Sequence, residues 1–101
     1  MSDTDTRSTT KVKPKVERPK MYKVILRNDD FTPREFVVKV LKAEFGMGED
    51  RAYAVMLTAH RKGVCVVAVY ARDIAETKAD RANDMARRAG YPLRFTTEPE
   101  E

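Results

Sequence analysis

The sequence predicts a two-layer α+β sandwich: a three-stranded antiparallel sheet with three helices on one face, in the order β-α-α-β-α-β. Three observations predict it. Segments rich in β-formers (Tyr22 to Arg27, "VCVVAVYA" and "LRFTT") alternate with longer segments whose apolar residues recur at helical spacing. All four glycines fall between these segments. The chain, at 101 residues, has length for one small domain only.

Residues 1–20 hold no aromatic residue, no Leu or Ile, two prolines and many Ser, Thr and Lys. They cannot bury enough apolar surface to offset the entropy of ordering, so they predict a disordered N-terminal extension ahead of a folded domain over 21–101. The first strand spans Tyr22 to Arg27. "TPRE" then fits a capping box, with Thr32 as N-cap, Pro33 at the first helical position and Glu35 reaching back to a free backbone N–H. The helix it opens carries Phe36, Val37, Val40, Leu41 and Phe45 on one side and is ended by Gly46 and Gly48. A second helix follows, with Ala52, Val55, Met56, Ala59 and His60 along one side, acids at its start and Arg61, Lys62 and Gly63 at its end. "VCVVAVYA" is a continuous β-branched run and predicts a central or well-covered strand. The third helix, "RDIAETKADRANDMARRAG", offers Ile74, Ala75, Ala82, Met85, Ala86 and Ala89 for packing and is closed by Gly90 and Pro92, before the last strand.

Composition narrows the function. The net charge of +4 is concentrated in residues 1–20, with six basic against three acidic residues; residues 21–101 carry 14 basic against 13 acidic. Lys and Arg interspersed with acids form a solvated exterior rather than a phosphate-binding face, which argues against a small nucleic-acid- or ribosome-associated domain, the rival function class. There is no run of about 20 apolar residues and no signal-peptide pattern, so a cytoplasmic protein without a membrane segment is expected. Cys65 is the sole cysteine, within an apolar run, and predicts a small buried thiol. One histidine and one such thiol supply neither a nucleophile–base pair nor a metal site, so no enzyme, metal or cofactor is expected.

"NDDFTPREF" raises a different question. Thr32 and Glu35 suffice to cap the helix, which leaves Asn28, Asp29 and Asp30 as surplus polar groups. In an extended segment Asn28 and Asp30 point to one side and Asp29 to the other. They form either a polar turn or an acceptor site for a cation. Calcium fits poorly, because its 6–8 oxygen ligands come from a longer acidic loop; a protonated amine needs two or three acceptors. His60 either packs on the apolar stripe of the second helix or joins such a site.

"MYKVILRNDDFTPREFVVKVL", "RAYAVMLTAHRKG", "AVYARDIAETK" and "YPL" together resemble the ClpS adaptor family, in matching order and spacing over roughly residues 20–97. The resemblance implies an adaptor that binds the N-terminal residue of a substrate, commonly Phe, Tyr, Trp or Leu, and delivers it to a Clp/Hsp100 unfoldase through a ClpA-like N-terminal domain. It implies that Asn28, Asp30 and His60 hold the free α-amino group, with Asp29 adjoining and Thr32 shaping the mouth. It further implies that Val37, Met56, Ala59 and Leu93 form the pocket for the first side chain, and that Asp73, Glu76 and Lys78 dock on the unfoldase. The N-terminal extension then serves delivery. Two positions depart from the family pattern: Arg34 where a gating methionine is usual, and Ala59 where valine is commoner, as in a divergent paralogue. Arg34 is either a solvent-pointing surface residue or lies along the pocket mouth, where its guanidinium can stack on an aromatic ring.

Overall fold

A computed structural model describes residues 20–100. The expected N-terminal extension therefore lies, but for Lys20, outside the described residues. The described chain runs β1 (Met21–Arg27), α1 (Arg34–Phe45), α2 (Glu49–Lys62), β2 (Val64–Ala71), α3 (Arg72–Ala89) and β3 (Arg94–Pro99). The strands form one antiparallel sheet, as the alternation of elements predicts, and lie in the order β2-β1-β3.

β1 is central because both of its edges are paired, and Val24, Ile25 and Leu26 are all buried. Val24 and Leu26 face the helices and join one core with Val40 and Leu41 of α1, Ala52 and Met56 of α2, Val67 and Phe95. Residues of the other parity face away from the helices: Lys23 pairs with Glu98 at 3.3 Å, and Arg27 Nε donates to Thr96 Oγ1 at 3.1 Å.

The valine-rich run does not form the central strand. β2 lies at the border of the sheet, and Val64, Val66 and Val69 are 36–48 % exposed. Only Val67, at the register shift opposite Val24 and Ile25, is fully buried. A continuous apolar run signals cover on both faces only if something covers the second one, and here the helices occupy one face alone. Cys65 is accordingly half-buried rather than enclosed; burial still pushes its thiol above the ordinary value, against the opposing fields of Lys62 and Arg51.

α3 approaches the sheet through Ala75, Ala79, Ala82 and Ala86, a row of small residues about one turn apart. Ile74 and Ala89, expected to pack, are exposed, because the helix can bury only the narrow stripe beneath those alanines. Asn83 does what no periodicity reveals: its Nδ2 donates to the Phe95 carbonyl at 3.0 Å while its Oδ1 accepts from the Phe95 N–H at 2.8 Å. The side-chain amide thus serves β3 as a substitute neighbouring strand. Replacing it by alanine strands both Phe95 groups in a half-buried position and is expected to cost about 1–2 kcal/mol. A thermal melt should show a fall of about 5–15 °C; an unchanged midpoint would mean that water replaces the amide without loss.

Candidate functional site

The loop from Asn28 to Pro33 is held from both ends. Asn28 N–H donates to the Gly63 carbonyl at 3.0 Å, tying the end of β1 to the end of α2. Gly63 can accept this position because its φ of +88° folds the chain back into β2, a backbone angle that side chains with Cβ resist. The last turn of α2, which carries His60, is thereby brought against the loop.

Asp29 organises the loop interior. Its Oδ1 accepts the backbone N–H groups of Phe31 and Thr32 at 2.8 and 2.7 Å, and both carboxylate oxygens accept from Thr32 Oγ1 at 2.9 and 2.8 Å. The expected capping box therefore does not form. α1 begins at Arg34 with Pro33 as N-cap and no side-chain cap bond, since the Thr32 hydroxyl is committed to a charged acceptor instead. Asp29 is not surplus; it is the residue around which the loop turns.

Asn28 and Asp30 remain exposed, with no side-chain partner among the described residues' hydrogen bonds. They rim a hollow of about 360 Å³. The nine residues assigned to substrate by resemblance line this hollow, with Asn28, Asp29, Asp30, Thr32 and His60 on the polar side and Val37, Met56, Ala59 and Leu93 on the apolar side, and the divergent Arg34 lines it too. The four apolar residues are at most 8 % exposed and belong to the main core, so the pocket floor is as fixed as the fold. Leu93 is delivered from the far end of the chain: the Tyr91 ring packs on Phe36 of α1 with centroids 4.8 Å apart, and the Tyr91 N–H closes α3 on the Ala86 carbonyl at 2.9 Å.

His60 is exposed rather than packed on the apolar stripe of α2; Ala59 takes that place. Arg34 does not point away into solvent. It reaches across the gap between α1 and α2, with Nη2 3.2 Å from His60 Nε2. With Met56 it also walls a second, more open hollow of about 630 Å³ between the two helices, where Glu35 and Glu49 stand. Sequence reasoning missed Phe31, which is 80 % exposed at the rim, and Leu26 at the floor. An aromatic residue set between turn-formers was the available signal for Phe31, and alternation with Val24 for Leu26.

The three residues assigned to a partner do not share a face. Asp73 is exposed and Glu76 lies beside Arg72 at 3.4 Å, one helical step apart on α3. Lys78 turns the other way, donating to the Glu44 carbonyl at 3.1 Å and sitting 5.6 Å above the Tyr70 ring.

A concave, core-backed pocket beside a cluster of acceptors is the architecture of a binding module. Among the described residues no three His, Cys, Asp or Glu side chains gather as metal ligands, and no helix is long and apolar enough to cross a membrane. The family model for the ATP-dependent Clp protease adaptor protein ClpS matches residues 17–96. The chain belongs to the ClpS family, whose members are substrate adaptors rather than enzymes. It is 66 % identical to the ATP-dependent Clp protease adapter proteins ClpS 2 of Mesorhizobium japonicum and ClpS 1 of Bradyrhizobium diazoefficiens, over the whole of both chains in each case. The solved structure of Agrobacterium tumefaciens ClpS2 bound to L-phenylalaninamide superposes with a TM-score of 0.81 at 65 % identity, covering 82 % of this chain and all of that one.

Proposed function

We propose that this protein captures polypeptides by their first residue and hands them to a cytoplasmic Clp/Hsp100 unfoldase, ClpA-like at its docking domain, for proteolysis. The observation that carries this reading is the juxtaposition in one hollow of a rigid apolar floor with the imidazole of His60 and the acceptors Asn28 and Asp30, whose side chains are unpartnered among the described residues. The ligand of the Agrobacterium tumefaciens relative, an aromatic amino-acid amide with a free amine, has both complementary parts.

The amine supplies N–H donors and a positive charge; an amide oxygen, a carboxylate and a neutral imidazole nitrogen are suitable acceptors. Beside them, Val37, Met56, Ala59 and Leu93 receive the first side chain, with burial of a Phe or Leu side chain worth about 1.5–3 kcal/mol. Met56 is flexible and polarisable and adapts to rings of different outline. Asp29 and Thr32 act one step back, by holding the loop that presents Asn28 and Asp30. The test is a peptide array varying only its first residue, with free and acetylated ends; Phe, Tyr, Trp and Leu should be retained and acidic or small residues lost. Retention independent of the first residue would refute the reading.

For delivery, α3 offers the exposed Asp73 and the half-exposed Glu76, and Lys78 supports them by fixing α3 to the end of α1. Residues 1–19 serve the hand-over. A chain beginning at Lys20 is expected to bind Phe-starting peptides within about twofold of the full chain yet to stall unfoldase-dependent degradation of a Phe-starting reporter. If peptide binding itself is lost on truncation, those residues belong to the pocket instead.

A further inference from the structure

We propose that Arg34 is a stand-in for the substrate's amine, a latch that occupies His60 in the free protein and must leave before a chain end can bind. The inference rests on the amine-binding role proposed for His60 and adds the regulation of that site.

A guanidinium can only donate hydrogen bonds, so a contact of 3.2 Å from Arg34 Nη2 to His60 Nε2 requires a lone pair on Nε2. The imidazole is then neutral and carries its proton on Nδ1. In this state Nε2 already has a cationic N–H donor, the same kind of partner that an α-ammonium group brings. The two cations compete for one acceptor. Arg34 has somewhere to go: it stands between the 360 Å³ pocket and the 630 Å³ hollow, and the second of these is lined by Glu35 and Glu49. Glu49 is held by Lys42 at 2.6 Å, whereas Glu35 has no ion-pair partner among the described residues. Both Arg34 and His60 are exposed, so the latch is weak enough to open without disturbing the core.

A competent state present only part of the time lowers apparent affinity by its population. With the latch closed for roughly 70–90 % of the time, removing it tightens binding about three- to tenfold. The competition does not depend on the first side chain, so phenylalaninamide and leucinamide should gain alike. It operates only through His60, so the gain should vanish when His60 is already absent.

The experiment is a double-mutant cycle on the full chain, with L-phenylalaninamide and L-leucinamide titrated calorimetrically into the wild type, Arg34→Met, His60→Ala and the double variant. A three- to tenfold gain for both ligands in Arg34→Met, and none on adding Arg34→Met to His60→Ala, is the expected result. A gain that persists without His60 would mean simple charge repulsion, and a loss confined to phenylalaninamide would mean stacking; either overturns the latch. Nitrogen-15 imidazole shifts of the ligand-free protein test it without any ligand: the wild type should show the Nδ1–H tautomer, and Arg34→Met should move toward Nε2–H. An Nε2–H wild type overturns the latch even if both amides bind. If neither amide binds any variant, the amine-binding reading fails instead, and the shifts still decide whether Arg34 holds the ring.

Discussion

Acetylating the first residue of a Phe-starting peptide is expected to weaken its binding by about 10- to 150-fold. The acetyl group removes the positive charge and leaves one N–H where the ammonium had three. Hydrogen bonds to charged groups contribute about 1.5–3 kcal/mol against about 1 for neutral ones. The acceptors proposed for the amine include Asp30 and Asn28, which have no side-chain partner among the described residues and so lose their charged donor when the amine is acetylated. The phenyl group still fits the floor of Val37, Met56, Ala59 and Leu93, so residual binding should survive at high peptide concentration. Fluorescence anisotropy with matched free and acetylated peptides reads the difference. Equal affinities would show that the hollow recognises an aromatic side chain wherever it occurs, and the reading of a chain-end binder would fall.

Asp29→Ala is expected to damage stability and binding together, although the carboxylate faces its own loop. Three donors converge on it, two backbone N–H groups and the Thr32 hydroxyl. Their loss should cost about 1–2 kcal/mol, since Asp29 is half-exposed and water replaces part of what is removed. The thermal midpoint should fall by about 5–15 °C. Peptide affinity should fall at least tenfold at temperatures where the variant is folded, because Asn28 and Asp30 are presented by the turn that Asp29 closes. Asp29→Asn keeps an acceptor oxygen for the two backbone N–H groups and should recover most of both properties. A variant Asp29→Ala that melts lower yet binds normally would separate the turn from the site.

Asp29 also shows where sequence reasoning stops. The order of elements was legible because each helix carries a one-sided stripe that only a sheet can cover, and the glycines mark the ends; Gly46, Gly63 and Gly90 all adopt positive φ at helix C-termini. The pocket residues were legible by resemblance, and they do meet in one hollow. What one sequence could not tell was which of two satisfactory hydrogen-bond schemes the loop adopts. "TPRE" can cap a helix and "DDFT" can close a turn, and both draw on Thr32. The charged acceptor at Asp29 takes it, and the capping box gives way. β2 misled for a related reason: side-chain character records what a strand tolerates, whereas its place in the sheet follows from which partners remain. Asn83 and the Arg34–His60 contact, made between residues 12 and 26 positions apart, have no local signature at all.

The two borders of the sheet differ in a way that limits assembly. On β3 the outward backbone groups of Phe95 are taken by Asn83, and Pro99 has no N–H to offer. On β2 the border is interrupted differently: the strand bulges at Val67, whose carbonyl accepts from Arg51 Nη2 at 3.4 Å, while Val64, Val66 and Val69 stand exposed beside it. A second chain laid along either margin therefore meets a break in the row of free backbone groups within a few residues, which works against continued strand addition.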